Sequence, residues 1–255
     1  MEICNNRNNP ITIIYLLQDM IEKTKMGKIF ESPETGSNEV RFLKGSNDHN
    51  IFVFKPFITG RVRNTNMGIA PESKGKREHV AHLLNFSGQF PISICLYTKI
   101  GNLTGSMQLF VNGLTMSDLQ ECFDQSSESQ DDDLSKNDLE KIKGSWKTYY
   151  SGSLASEDVP NLVNNEEIHK LLLYDILMWN CDRNDGNILF CLDEKKDAIS
   201  IIGIDHGECF SSEKNANFKM DAFELFPALN EKFFPESCLE LIKEGQLNEY
   251  INILT

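Results

Sequence analysis

A chain of 255 residues and 29.0 kDa accommodates one large domain or two lobes, and length alone does not separate the two. With 40% apolar and 25% charged residues it has the composition of a folded globular protein, which excludes the disordered and fibrous classes. Lys plus Arg total 25 against 38 Asp plus Glu, a formal charge of −13, which excludes a body that binds nucleic acid or anionic membrane over its whole surface and leaves room only for a local basic patch.

In chain order, Ile13, Ile14, Leu17, Met20 and Ile21 recur at helical spacing and predict a leading helix over 10–25. A strand–turn–strand pattern follows, with 28–31 leading into the turn Ser32 to Ser37 and Val40 to Leu43 leading into the turn Gly45 to Asp48. Ile51 to Lys55, apolar and β-branched or aromatic up to Pro56, is the clearest strand. Residues 60–75 read as loop, and Lys76 to Asn85 as a helix with Val80, Leu83 and Leu84 on its apolar stripe. Pro91 to Tyr97 and Ser106 to Val111 read as strands, and Met116 to Phe123 as a helix. Residues 124–138 are acidic and nearly without apolar side chains, which predicts a mobile insertion. Glu166 to Trp179 reads as a long, largely apolar helix, followed by strands at Asn187 to Cys191 and Ile199 to Ile204 and by short helices after Asp221. The expected fold class is α+β, with a strand-rich N-terminal lobe over 1–112 and a small helix-rich lobe over 113–255, hinged near Val111 to Gly113.

The seven cysteines (Cys4, Cys95, Cys122, Cys181, Cys191, Cys209 and Cys238) are odd in number, scattered, and free of any C-x-x-C. That pattern argues against a zinc ribbon or a disulfide framework and predicts reduced, buried thiols. No secretory leader or lipidation box is expected from the termini. No stretch approaches the ~20 apolar residues that span a bilayer. A cytoplasmic protein is expected, and one delivered into a host cytosol would carry the same signature.

Chemistry concentrates in Asn180-Cys-Asp182-Arg-Asn-Asp-Gly-Asn187. A helix delivers this loop, a strand takes it away, and Asp205 ends the next strand, so Asp182, Asn187 and Asp205 can converge at one end of a hairpin. Oxygen ligands in an open site suit Mg²⁺, which retains water and phosphate oxygens as further ligands. Phosphoryl transfer uses such a set: one Asp orients the acceptor hydroxyl, while an Asn and a second Asp hold metal against the phosphates. Against this stands the plain reading of an Asn- and Asp-Gly-rich turn between helix and strand. The loop lacks the ligand spacing of an EF-hand.

Lys55 ends the face it shares with Ile51 and Val53. Alone, it reads as a lysine snorkelling out of a strand end. With a carboxylate to fix it, it reads as a cation for the α- and β-phosphates of a nucleotide. Glu78, off the Val80/Leu83/Leu84 stripe, is either that carboxylate or a solvated helix-face glutamate. Arg61, Arg63, Lys74, Lys76 and Arg77 form one basic stretch, either a solvated surface or a site for an anionic ligand such as an inositol phosphate. His79, His82, His169 and His206 lack metal-ligand spacing and read as structural.

The order Lys55, Glu78, Asp182-x4-Asn187, Asp205-His-Gly207 resembles the protein-kinase-like superfamily, in the branch of phosphatidylinositol 3- and 4-kinases, and is closest to type II phosphatidylinositol 4-kinases and to HipA-like and actin-fragmin-kinase-like atypical kinases. Phe52-Val-Phe-Lys-Pro56 is similar to that group's lysine strand, Arg77 to Leu84 to its glutamate helix, Gly105 to Val111 to its hinge strand, Asp175 to Asn187 to its catalytic loop, and Ile204 to Gly207 to its metal-binding turn. The resemblance implies a two-lobed kinase fold that uses ATP and Mg²⁺. It implies that Lys55 binds phosphates and pairs with Glu78, that Asp182 orients the acceptor, that Asn187 and Asp205 hold Mg²⁺, and that Phe110 and Val111 lie against adenine. Burial in a strand is the other reading of those last two residues. No G-x-G-x-x-G is present, so only Thr35-Gly36-Ser37 is left to cover the phosphates, and Ala70-Pro71-Glu72 precedes the catalytic loop instead of following it. The cysteine-rich insert of type II lipid kinases is also missing.

Three functions stand open at this point: an atypical protein serine/threonine kinase, a phosphatidylinositol kinase, and a pseudokinase that only binds. The full set of Lys55, Asp182, Asn187 and Asp205 ranks the binder last, since binding alone does not need it. The net charge ranks the protein acceptor ahead of the lipid.

Overall fold

The computed structural model of the protein describes residues 40–44, 50–56, 71–85, 88–123, 142–146, 158–193, 198–210, 221–226, 229 and 234–241. The expected leading helix, the turn at Gly36 and Ser37, Arg61, Arg63 and the acidic stretch 124–138 lie outside the described residues.

Four antiparallel strands form one sheet in the order β1-β2-β4-β3, with β1 at Arg41–Lys44, β2 at Asn50–Pro56, β3 at Cys95–Ile100 and β4 at Leu103–Leu109. Alternation along β2 sends Phe52 and Phe54 into a small core with Leu43, Ile100 and Met107, and leaves Ile51, Val53 and Lys55 on the other, partly open face. Lys55 pairs with Ser106 and Pro56 with Gly105. A Cβ at Gly105 would stand 2.3 Å from the Lys55 carbonyl oxygen, so the two backbones approach this closely only because residue 105 has no side chain.

β3 and β4 are displaced from the expected Pro91 to Tyr97 and Ser106 to Val111. Gly101, at φ +58, closes a tight Gly-Asn turn between the paired Ile100 and Leu103, and this hairpin sets the register. Pro91 and Ile92 instead join the connection to the second sheet, where Ile92 bridges Gly203.

Helix α1 spans Pro71–Leu84 and begins before the expected Lys76, because a proline in the first turn presets helical φ and gives up only an N–H that has no partner there. Its buried face carries Glu78, Ala81 and Leu84, while Leu83 is 48% exposed. The expected Val80/Leu83/Leu84 stripe is therefore wrong at Leu83, and Glu78, expected off the apolar side, sits on it. A carboxylate tolerates this burial when a cation meets it there.

The second half follows expectation more closely. Helix α2 is Met116–Phe123, with Thr115 and Asp118 exchanging backbone and side-chain hydrogen bonds at its start. After α3 (Val159–Leu162), α4 (Asn165–Leu177) is capped by Asn164, whose side chain accepts from the Glu166 N–H. Trp179, at φ +49, turns the chain out of α4 before the catalytic-type loop. β5 (Ile188–Asp193) and β6 (Ala198–Gly203) form the second, two-stranded sheet, and α5 is Glu236–Leu241.

The larger core gathers Leu114, Ile168, Leu171, Phe190 and Ile201 with Ala81, Leu84, Phe90 and Ile92, so it draws on both sides of residue 112. Two polar ties fix α1 and the β3 connection on this core. The Tyr174 hydroxyl donates to the Ala81 carbonyl at 2.5 Å, and Ser93 N–H donates to the Gly203 carbonyl at 3.1 Å while Gly203 N–H donates to that of Pro91 at 2.8 Å. The six described cysteines are buried and form no disulfide among the described residues. Among the described residues no helix is long and apolar enough to cross a membrane.

Candidate active site

Lys55 leaves the open face of β2 and meets two carboxylates. Its ammonium lies 3.2 Å from Glu78 Oε1 and 3.3 Å from Asp205 Oδ2. Burial works against the lysine charge, but Asp205 and Glu78 outweigh it and hold the Lys55 pKa above the ordinary lysine range. Lys55 in turn holds the Asp205 carboxyl well below the usual carboxylate range. Burial pushes Glu78 up, with Lys55 opposing. Glu78 is 2% exposed, whereas the Asp205 side chain is 41% exposed. One cation thus serves two carboxylates, and the surplus negative charge stands at the open end.

Asp205 adopts the left-handed backbone conformation, at φ +55, which for a non-glycine residue costs about 1 kcal/mol or more unless its surroundings enforce it. The enforcement comes from the hairpin. Ile188 pairs with Gly203, and Ile204 N–H donates to the Asn187 carbonyl at 3.0 Å, so Asn187 and Asp205 arrive at the same end, as the sequence predicts.

The loop between α4 and β5 is locked by its own amides. Asn187 Nδ2 donates to the Asp182 carbonyl at 2.7 Å, which commits that nitrogen and leaves the amide oxygen as the side chain's remaining acceptor. Asp182 N–H donates to Asn180 Oδ1 at 3.2 Å, and Asn184 Nδ2 donates to the Asp182 carboxylate at 3.3 Å. Lys55 is therefore in direct contact with Glu78 and Asp205, whereas Asp182 is tied by its carbonyl to Asn187, whose own carbonyl accepts from Ile204, the residue before Asp205. The amide oxygen of Asn187 and the carboxylate of Asp205 are hard donors of the kind that fits Mg²⁺, with water and phosphate completing the shell. Among the described residues no cluster of three or more His, Cys, Asp and Glu forms an all-protein metal cage.

Phe110 and Val111 follow β4, and both are partly exposed, so neither is simply a buried strand residue. Phe110 N–H donates to the Ile51 carbonyl at 2.7 Å, and its ring meets Phe42 edge-on at 5.9 Å. Of the basic stretch, Lys74 pairs with Glu208, Arg77 donates to the Cys209 carbonyl and Lys76 lies over the Tyr97 ring at 5.8 Å. Each of these three engages a protein group, Lys74 and Arg77 on the adjacent residues Glu208 and Cys209 and Lys76 on Tyr97.

Sequence reading gave Arg183 and Asp175 no role of their own, although both lie in the stretch Asp175 to Asn187. Both are fully buried, and Arg183 Nε lies 2.7 Å from Asp175 Oδ2. The available signal was a carboxylate in the apolar C-terminal half of helix α4 and an arginine in the loop that follows it. His206, read as structural, is buried against Arg183 and Tyr174, and burial with the Arg183 charge holds its pKa well below the ordinary histidine value.

A family model described as phosphatidylinositol 3- and 4-kinase matches residues 46–242. The chain belongs to this family. Within it, the chain is 27% identical over 220 residues to phosphatidylinositol 4-kinase gamma 4 of Oryza sativa subsp. japonica, a match covering 79% of this chain and 34% of that protein. It is 32% identical over 114 residues to phosphatidylinositol 4-kinase gamma 3 of Arabidopsis thaliana, covering 44% of this chain and 19% of the relative. The matched part thus spans about a third or less of these curated relatives. Likeness to solved structures is loose. The Rio2 kinase from Chaetomium thermophilum is 14% identical with a TM-score of 0.43, covering 92% of this chain and 70% of that one. The Helicobacter pylori proinflammatory kinase CtkA is 14% identical with a TM-score of 0.39, covering 83% of this chain and 65% of that one. The phosphatidylinositol 3- and 4-kinase family model takes in Lys55, Glu78, Asp182, Asn187 and Asp205 together, and leaves Gly36 and Ser37 outside its span.

Proposed function

We propose that the chain is a phosphotransferase that moves the γ-phosphate of ATP to a hydroxyl acceptor with Mg²⁺. The ion cluster carries this reading: one ammonium, 3.2 Å from a buried glutamate and 3.3 Å from an open-ended aspartate. Glu78 keeps Lys55 in place while the ammonium serves the α- and β-phosphates. Asn187 and Asp205 hold Mg²⁺, which when bound neutralises charge on the phosphate oxygens. Asp182 orients the acceptor hydroxyl and takes its proton as the acceptor oxygen bonds to the γ-phosphorus and the bond to the β–γ bridging oxygen breaks. Phe110 and Val111 lie against adenine.

The acceptor we favour is a protein serine or threonine, supported by the charge of −13, which opposes approach to an anionic bilayer. Phosphatidylinositol is the second reading, supported by the names of the relatives. Labelled ATP and Mg²⁺ offered together with mixed protein acceptors and phosphatidylinositol vesicles separate the two. Label in protein is expected, and label in lipid alone reverses the order. No transfer to either by the wild-type chain, where a related kinase labels the same mixture, ends the phosphotransferase reading.

A further inference from the structure

Arg183 spends its donors on four groups from three parts of the chain. Nε and Nη2 grip the Asp175 carboxylate of α4 at 2.7 and 2.9 Å. Nη1 donates to the carbonyl of Asn187 at 2.5 Å and to that of Ile204 at 2.8 Å. Nη2 also lies 3.1 Å from His206 Nδ1. A single nitrogen atom therefore spans the backbone of one oxygen donor, Asn187, and the residue directly before the other, Asp205.

That span lies beyond the end of the hairpin. Strand pairing stops at Ile188 and Gly203, after which only Ile204 N–H to Asn187 O continues the ladder. Asp205 then turns into the left-handed region, where the backbone needs an external hold. The guanidinium packs against bare backbone, since a Cβ at Gly203 would come 3.2 Å from Arg183 Nη2 and 2.7 Å from Leu171 Cδ1. Water has no access to stand in for it, because Arg183 and Asp175 are 0% exposed.

We propose that Arg183, clamped by Asp175, is the positioning residue that sets the spacing between Asn187 and Asp205 and thereby the affinity of this pair for a divalent cation. This rests on the reading of Asn187 and Asp205 as the metal-holding pair. Plain scaffolding has a different consequence: its loss weakens every ligand alike, whereas loss of spacing weakens the metal selectively. A lysine cannot replace the planar fork, because one ammonium cannot face two carboxylate oxygens and two carbonyls at once.

The test compares the whole wild-type chain with Arg183→Lys and Asp175→Asn. Mn²⁺ binding is followed by the electron paramagnetic resonance of free Mn²⁺ with a nonhydrolysable ATP analogue present. Metal-free nucleotide binding is followed with a fluorescent ATP analogue in EDTA. Arg183→Lys is expected to weaken Mn²⁺ roughly 10–100-fold, the range for groups that orient metal ligands, to leave metal-free nucleotide binding unchanged, and to regain turnover as Mg²⁺ is raised. Asp175→Asn is expected to move in the same direction by less. A cooperatively melting Arg183→Lys chain with wild-type Mn²⁺ affinity overturns the proposal, as does a parallel loss of metal and nucleotide. If Arg183→Lys does not fold, Asp175→Asn decides by the same criterion. A wild-type chain that binds the nucleotide but no Mn²⁺ overturns the metal-pair reading itself.

Discussion

Among the described residues Lys55 is the cation that meets Glu78, and it is more exposed than its partner: the side chains of Lys55 and Glu78 are 19% and 3% exposed. Taking away Lys55 therefore strands a carboxylate in a dry place. Removing one partner of a buried pair costs about 3–5 kcal/mol, and the partly open lysine puts this case near the lower end. Lys55→Met should lose turnover and shift the urea midpoint down at pH 7.5. Burial already pushes the Glu78 pKa up with Lys55 opposing, so without Lys55 it rises further. A carboxyl whose folded pKa lies above its unfolded one favours the fold at low pH and loses that contribution as pH rises through the folded value. The deficit of Lys55→Met should accordingly shrink as pH falls toward 5. A deficit that stays constant between pH 7.5 and pH 5 would show that Glu78 is not the stranded group. At this scale much of the site was legible, because Lys55, Asp182, Asn187 and Asp205 are polar residues at the ends of apolar elements, where chain periodicity gives them no packing task. The face occupied by Glu78 was not legible. Helical periodicity assigns a charged residue to water, and only the lysine of another element reverses that. Arg183 was hidden for the same reason, since its four contacts come from residues that are near it only after folding.

Strand β2 places Lys55 only as well as β4 lets it. The Cα partners Lys55–Ser106 and Pro56–Gly105 lie where Pro56 can donate no ladder hydrogen bond, so the close approach of Gly105 compensates. Gly105→Ala would drive a methyl group to 2.3 Å from the Lys55 carbonyl oxygen and 2.9 Å from Phe54 Cε2, and β4 must move away. Overpacking of this kind costs about 1–3 kcal/mol. The expected outcome is a loss of that size in chemical denaturation, together with weaker nucleotide binding because the lysine moves with its strand. Stability and binding both at wild-type level would mean that the strands are not this close in solution. Elements were legible where one periodicity ruled, as in α2 and in the long helix α4. They slipped where punctuation competed with it: Gly101-Asn102 moved both strands of its hairpin, and Pro71 opened α1 inside a stretch whose Asn, Gly and Pro content reads as loop.

The ion pair between Lys55 and Asp205 joins the four-stranded sheet to the β5–β6 hairpin, two parts of the chain separated by some of its longest sequence intervals. A ligand that occupies both sides of that junction stabilises both at once, so its effect belongs to the melting of the whole molecule. At a hundredfold excess over Kd a ligand adds about 2.7 kcal/mol, and for a domain near this size each kcal/mol raises Tm by about 2–4 °C, so ATP with Mg²⁺ should raise Tm by roughly 5–10 °C. EDTA should remove most of that rise. Asp205→Asn is the informative variant, because asparagine accepts the left-handed backbone at φ +55 and keeps the side chain's size. Without ligand it should melt below the wild type, because the ion pair to Lys55 is lost, and it should also lose the metal-dependent part of the rise. Asp182→Ala, which removes the carboxylate but keeps the backbone carbonyl that holds Asn187, should keep the rise and lose turnover. The two variants thus separate holding the nucleotide from acting on it. A full rise in Asp205→Asn would move the metal away from this residue, and a turning-over Asp182→Ala would move the proton acceptor elsewhere while leaving the cluster of Lys55, Glu78 and Asp205 as the nucleotide's seat.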